Sequence, residues 1–421
     1  MTPQKPDGDA RAIADCRLGI AGPWWRESAI HNLQSESGSA CPGSRGLRTH
    51  PVPARGFCCR AGGGWRIIAA VMERSAYRII DANFNRAREA IRVVEEYCRF
   101  VLNCAALSER AKQLRHELST TIGRLDAGRL LAGRDTLGDV GVGQKVEGQL
   151  ERVTLKDCFT AGAKRLTEAL RALAETIQTE NGAVAKSIEQ LRYRAYTLEK
   201  DIALFAEPVE RFNRVRLYVM ITSDLPGEIL SLTSRCAAGG ADCIQLRAKS
   251  MPDDRFYAVA VEFVDICREL GTLSIINDRC DIGIAAGADG VHLGQNDLPV
   301  AQARRLQLTP LIVGKSTHDE KELEEACQAL PTYVSLGPVF ATGTKPALEV
   351  AGPAYVTQGL KKLAGTGISH VAIGGITADN VAQVIAAGAR RVAVCAAVTE
   401  SSDPTQACRT LKEKLVTLTE D

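Results

Sequence analysis

From residue 217 onward the sequence repeats one phrase eight times: a short apolar run, a polar turn, then a helical stretch. The runs are LYVMI (217–221), DCIQLR (242–247), LSIIN (273–277), GVHLG (290–294), LIVGKS (311–316), YVSLGPVF (333–340), HVAIGGI (370–376) and RVAVCAAV (391–398). Each but the last is followed by a helix or helical turn, such as DDRFYAVAVEFVDICREL or TADNVAQVIAAG, and DPTQACRTLKEKLVTL closes the chain as a terminal helix. Short apolar runs alternating with amphipathic segments read as parallel strands joined by crossover helices. Eight such units predict a TIM barrel, a fold whose length extends down to about 200 residues. An open doubly wound sheet is the competing arrangement. It would place a glycine-rich phosphate turn after its first strand, where this chain has TSDLPGE.

Ahead of the strands, from about 77 to 205, the pattern is helical. Ala87, Ile91, Val94, Cys98 and Val101 recur at steps of three or four and form one apolar stripe, with Arg88, Arg92, Glu96 and Arg99 on the opposite side. LSERAKQLRHELSTTIGRL predicts a second helix with Ser108 as its N-cap, and LKDCFTAGAKRLTEALRALAETI a third. SIEQLRYRAYTLEKDIALF predicts a fourth, ending near Pro208. Between the second and third lies GRDTLGDVGVGQKVEG (133–148), too polar for a core and the expected functional loop of this part. The bland account of these helices is a bundle for dimerisation or spacing, its charges a solvated face. The sharper account starts from Asp81, Asn83, Asn85, Arg86, Arg115 and His116, with Arg134, Asp135 and Asp139 in the loop. Arginines beside carboxylates suit a phosphorylated ligand and a bound magnesium ion.

Residues 1–71 differ from both parts, holding Trp24, Trp25 and Trp65 and four of the 14 cysteines (Cys16, Cys41, Cys58, Cys59) without sustained periodicity. The expectation is a disordered or non-native extension, with Met72 as the authentic start. The expected division is therefore 1–71, a helical domain over 72–207 and a barrel over 208–421. A net charge of +2 argues against nucleic acid as the main partner. No apolar run approaches the roughly 20 residues a membrane-spanning helix needs. The cysteines lack zinc-site spacing and read as small buried hydrophobes of a reducing cytoplasm, and homo-oligomer formation is left open.

In a TIM barrel the chemistry sits at the C-terminal ends of the strands. Collected there are Gln245, Arg247 and Lys249; Asn277 and Asp278; Gln295 and Asp297; Ser316 and His318; Thr342, Thr344 and Lys345 around Gly343; and Gly374-Gly375. Arg247, Lys249 and Lys345 neutralise anions, the first through a fork and the others as point charges. Asp278 and Asp297 are oxygen ligands of the kind Mg²⁺ takes together with substrate phosphate. Gly374-Gly375 and the backbone after the eighth strand form a phosphate site of the usual barrel type. Each element has a plainer explanation. Arg247 and Lys249 would serve as salt-bridge partners of the two aspartates, His292 as a packed core histidine, and the glycine pair as a close-packing device; His318 fits either account.

QLRAKS, INDR, HLGQNDLP, GKSTH, GPVFATGTKP and VAIGGIT, in this order over 216 to about 415, resemble the motif set of thiamine phosphate synthases. The resemblance implies a transferase that displaces pyrophosphate from hydroxymethylpyrimidine diphosphate by the nitrogen of a carboxylated thiazole phosphate. It implies that Gln245, Leu246, Arg247, Ala248, Lys249, Asn277, Ser316 and Lys345 bind the diphosphate substrate, with Arg247, Lys249, Ser316 and Lys345 assisting departure of pyrophosphate. Asp278 and Asp297 would hold Mg²⁺, and Thr342, Gly343, Thr344, Gly375, Cys395 and Ala396 would bind the thiazole phosphate. DANFNRAREAIRVVEEYCRF, LRHEL and RDTLGDVG resemble the helical domain often fused ahead of such synthases, which is associated with phosphorylating the pyrimidine monophosphate. Three positions depart from the synthase pattern. Ala248 replaces an acidic residue, Lys315 a small or apolar one, and Cys395-Ala396 an apolar-serine pair that would offer the thiazole phosphate a hydroxyl. A thiazole tautomerase of the same barrel family, which needs no diphosphate or metal site, and a non-catalytic scaffold are the rival readings.

Overall fold

The computed structural model describes residues 62–144, 147–148, 151–307, 309–343 and 349–420. Residues 1–61, most of the segment expected to be disordered or non-native, lie outside these, as do Thr344 and Lys345. The first helix, α1 (Gly62–Glu96), begins ahead of Met72. It is followed by a π-helical turn at Tyr97–Val101 and by α2 (Ala105–Ile122), α3 (Ala127–Gly133), α4 (Leu155–Gln178) and α5 (Gly182–Phe212). Ala87, Ile91, Val94 and Cys98 are buried as the stripe requires. Val101 is not, because the wider π turn rotates the last residue of the stripe out to solvent.

Four helices, α3, α4, α5 and the one over Glu320–Ala329, start at a capping side chain. At α4, Thr154 accepts from the backbone N–H of Asp157 at 3.1 Å while the Asp157 carboxylate accepts from that of Thr154 at 2.8 Å, a reciprocal capping box. Thr154→Ala is expected to cost about 1 kcal/mol, read as a lowered urea midpoint of the full chain; an unchanged midpoint would discount the box. Ser108, by contrast, is no N-cap: α2 starts three residues earlier, at Ala105, with Cys104 in the cap position. The fourth helix likewise does not end near Pro208 but runs to Phe212. Phe205, Val209 and Phe212 extend its buried stripe past the proline, and their burial outweighs the hydrogen bond that Pro208 cannot donate. The expected boundary at 207/208 thus falls within α5.

The remaining strands close into a barrel of eight parallel neighbours in chain order. They are β1 (Leu217–Thr222), β2 (Cys243–Arg247), β3 (Leu273–Asn277), β4 (Gly290–Leu293), β5 (Ile312–Thr317), β6 (Tyr333–Leu336), β7 (Ser369–Ile373) and β8 (Val392–Val394). The sixth run was expected to stay extended to 340. It stops at Leu336 because Pro338 has no N–H to donate to a ladder. Between and after the strands lie α6 (Pro226–Ala238), α7 (Asp253–Glu269), α8 (Cys280–Ala285), α9 (Val300–Leu306), α10 (Glu320–Ala329), α11 (Gly352–Leu363), α12 (Val381–Ala386), α13 (Ala396–Thr399) and the terminal α14 (Pro404–Glu420). The eighth strand is therefore also followed by a helical turn.

Alternation along the strands separates two cores. Leu217, Val219, Ile221, Ile244, Leu246 and Ile276 face outward and pack under the helices. Tyr218, Cys243, Ile275, Ile312, Tyr333, Val371 and Ala393 face inward and fill the barrel together with Phe212, the last residue of α5. A further cluster joins the helical bundle to Leu323, Ala326, Tyr355 and Leu363 of α10 and α11, so bundle and barrel share buried apolar surface. Seven of the described cysteines are buried, as small hydrophobes would be. No helix among the described residues is long and apolar enough to cross a membrane.

Candidate active site

The inward positions turn polar towards the C-terminal ends of the strands, where a cavity of about 290 Å³ opens. Its wall brings together Gln245, Arg247, Lys249, Asn277, Asp278, Ser316, His318, Thr342, Gly343, Gly374, Gly375, Cys395 and Ala396. Of the other strand-end residues the sequence pointed to, Gln295 and Asp297 stand behind the wall, on the Ser316 carbonyl and the Gly294 N–H, and Thr344 and Lys345 lie outside the described residues. Leu246 and Ala248, also expected at the substrate, are not on this wall: alternation turns Leu246 into the outer core, and Ala248, just past the strand, packs against that core.

The two aspartates meet. Asp278 and Asp297 lie near enough for each to shift the other's ionisation, and Lys249 pairs with Asp278. Burial opposes ionisation of Asp278, but the neighbouring Asp297 carboxyl and the Lys249 ammonium outweigh it and hold its carboxyl below the usual range. Asp297 is pushed up by burial and by its neighbour's charge. Asp278 itself sits in the left-handed region at φ 62°, with its N–H bonded to the His292 carbonyl at 2.8 Å, so the turn after β3 aims the carboxyl at the cavity. Asp297 is tied down by the Gly294 N–H at 2.6 Å.

The salt-bridge explanation of the cations therefore holds for Lys249. It does not extend to Arg247, which makes no ion pair among the described residues and lines the cavity. Lys315, one of the departures from the family pattern, donates to the Gly294 carbonyl at 2.6 Å and braces the same turn that holds Asp297. Burial lowers its pKa. The glycine pair is a close-packing device that also faces the cavity. Gly374 and Gly375 adopt φ of 107° and 60°, any side chain on either would collide with the Pro338–Ala341 backbone, and both line the cavity.

Several side chains at or beneath the cavity were not legible as such. His292 is buried, with Nδ1 2.9 Å from the Tyr333 hydroxyl and Nε2 2.9 Å from Ser316 Oγ, as the packed-histidine account expected. Tyr218 and Tyr333 went unnoticed because in sequence they are apolar strand residues. The signal that finds them is their inward parity, shared with Gln245 and His292. His318 is engaged by Glu322 at 2.8 Å.

In the helical bundle the expected residues are largely paired with one another. Buried Asp81 grips Arg134 with two bonds of 2.8 and 2.7 Å and accepts from Asn85 at 3.4 Å, and buried Glu95 holds Arg115 at 3.0 Å. Asn83 bonds the Ile79 carbonyl. Asp135 and Asp139 accept from Gly138 and Gly141 N–H groups, shaping the loop 133–148. Arg86 is exposed, and His116 lines a second, open cavity with Arg99, Ser108 and Lys112.

Comparison with known proteins fits this geometry. The family described as Thiamine monophosphate synthase matches residues 217–398, and the ThiD2 family matches residues 78–201. A thiamine-phosphate synthase of Synechocystis sp. is 39% identical over 339 residues, covering 80% of this chain and 96% of its own. One from Gloeobacter violaceus is 38% identical, covering 83% and 99%. A solved thiamine phosphate pyrophosphorylase from Pyrococcus furiosus is 31% identical over 50% of this chain and 98% of its own, with a TM-score of 0.46. With relatives matched at this identity through both bundle and barrel, the chain belongs to the thiamine-phosphate synthase family.

Proposed function

We propose that the barrel is a transferase that joins hydroxymethylpyrimidine diphosphate to a thiazole phosphate, releasing pyrophosphate and forming thiamine phosphate. The observation that carries the reading is Asp278, paired with Lys249 and neighboured by Asp297, on the same cavity wall as Arg247, which makes no ion pair among the described residues. Two carboxyls this close fit Mg²⁺, which takes one or two carboxylates and fills its remaining positions with water and phosphate oxygens. Among the described residues no group of three or more His, Cys, Asp or Glu is placed to hold an ion unaided, so substrate oxygens belong in its shell. Asp278 and Asp297 would hold the ion, and when bound it supplies positive charge to the departing pyrophosphate.

The chain's own residues do the rest. Arg247 takes phosphate oxygens through its fork, Lys249 exchanges its carboxylate partner for the diphosphate, and Lys345 adds a second ammonium from the loop after β6. Gln245, Asn277 and Ser316 orient the pyrimidine diphosphate. Thr342, Gly343, Thr344, Gly375, Cys395 and Ala396 receive the thiazole phosphate. No general base is required, since the attacking ring nitrogen carries a lone pair; charge stabilisation of the leaving group is the catalytic demand. The bundle binds or phosphorylates the pyrimidine monophosphate, a reading supported by the match to the ThiD2 family. The whole acts on small molecules in the cytoplasm.

Purified full-length protein given pyrimidine diphosphate, thiazole phosphate and Mg²⁺ is expected to release thiamine phosphate and pyrophosphate in equal amounts, and to stop when EDTA is added. Absence of metal-dependent product would end the synthase reading. Supplying ATP and the pyrimidine monophosphate in place of the diphosphate tests the bundle.

A further inference from the structure

A row of five buried side chains runs under the floor of the cavity. Gln245 Nε2 lies 2.8 Å from the Tyr218 hydroxyl, which lies 2.9 Å from that of Tyr333. The Tyr333 hydroxyl is 2.9 Å from His292 Nδ1, and His292 Nε2 is 2.9 Å from Ser316 Oγ. The two ends, Gln245 and Ser316, both lie on the cavity wall and were both assigned to substrate by resemblance. Tyr218, which also lines the cavity, and Tyr333 are both buried, and burial pushes their pKa values well above the ordinary range, so both stay neutral and keep their protons.

The sequence is shaped to allow the middle link. His292, Gly314 and Tyr333 are register partners on β4, β5 and β6, at one level of the barrel. A Cβ at Gly314 would overlap the Tyr333 ring and hydroxyl and His292 Nδ1. Glycine is therefore the opening through which tyrosine and histidine reach each other across the intervening strand. On its other side the Tyr333 ring is stacked on Phe212, with centroids 4.0 Å apart and planes 6° from parallel. Phe212 is the last residue of α5 and is wholly buried.

Donor counting gives the row a direction. An amide Nε2 only donates, so the Tyr218 oxygen accepts from Gln245. The Tyr218 hydrogen then goes to Tyr333, the Tyr333 hydrogen to His292 Nδ1, and the His292 Nε2–H to Ser316 Oγ. In this order every buried hydrogen has an oxygen or nitrogen acceptor. The reverse order makes Tyr218 accept twice, from Gln245 and Tyr333, and leaves its own hydrogen without an oxygen or nitrogen acceptor among the described residues. The favoured order leaves one hydrogen over at its end, that of the Ser316 hydroxyl, on the cavity wall.

We infer that Tyr333 is a positioning residue: held by Phe212, it orders the row so that Ser316 presents its hydroxyl hydrogen to an anionic oxygen of bound substrate. The kinetic half of this inference rests on the synthase reading. The hydrogen order does not. Tyr333→Phe keeps the ring and its stack and removes only the link. In the full chain it is expected to lower kcat/KM for pyrimidine diphosphate about tenfold, the worth of one hydrogen bond to a charged group. In a Ser316→Ala background the same change is expected to cost less than about twofold, because the two act as one unit. Equal losses in both backgrounds would mark a merely structural tyrosine and overturn the inference. Independently of turnover, ¹⁵N-histidine NMR of the wild-type chain should show His292, assigned by the signal lost in His292→Gln, as the Nε2–H tautomer. An Nδ1–H signal would overturn the order. If the wild type makes no thiamine phosphate, the synthase reading fails and the tautomer still decides the row.

Discussion

Asparagine in place of Asp278 is expected to slow thiamine phosphate formation by a factor on the order of 10² to 10³, the cost of removing one element of charge stabilisation. The fold should survive it. Sequence alone recommends Asp278→Ala, but the residue sits at φ 62°, where asparagine is well tolerated and alanine would add a backbone cost of about 1 kcal/mol. Asparagine keeps the shape and the N–H bond to the His292 carbonyl while removing the charge that pairs with Lys249. Initial rates over a range of Mg²⁺, alongside thermal unfolding, separate the two effects. Wild-type turnover in a well-folded Asp278→Asn would refute the metal assignment.

Phe212→Ala is expected to have the largest effect on stability, about 3–5 kcal/mol, the range for truncating a fully buried aromatic. The ring lies face to face with Tyr333 and edge-on to Tyr218 at 6.4 Å. Its loss would open a cavity among Cys243, Ile275, Ile312 and Ala393, which no neighbour can fill without leaving its strand position. Urea unfolding of the full-length protein measures the loss. A change under about 1 kcal/mol would mean that the barrel floor relaxes around the gap and that Phe212 is no plug.

The barrel was legible because parallel strands, buried on both faces, are continuous apolar runs, and eight of them in a row admit few closures. Its rim was legible because polar side chains at the ends of such runs stand out against them. What lay hidden was parity. Leu246 and Ala248 sit inside the same motif as Gln245, Arg247 and Lys249, yet a strand presents only every second side chain to the cavity. Tyr218 and Tyr333 have the opposite history: they look like filler and carry hydroxyls where they matter. In the bundle, residue type alone could not distinguish ligand-seeking groups from self-satisfied ones. Asp81 with Arg134 and Glu95 with Arg115 are mutual partners, and Asp135 and Asp139 hold backbone N–H groups of their own loop. Helix ends were the least legible. Cys104 occupies a cap position without a capping side-chain bond, and Pro208 is carried through by the buried surface on either side of it.

That unbroken α5 sets how far the two halves are interchangeable parts. Its early turns belong to the bundle core through Ile188, Leu191 and Leu198, and its last residue fills the barrel floor, with Arg211 paired to Asp289 and Asn213 bonded to Ser369 at 2.6 Å just beyond. A barrel cut free at residue 210 would retain the phenylalanine but not the rod that aims it. Separation of the two halves into independent polypeptides, by an engineer or by gene fission, should therefore leave the whole of α5 with the barrel, or replace its final turn with another cap for the strand ends below.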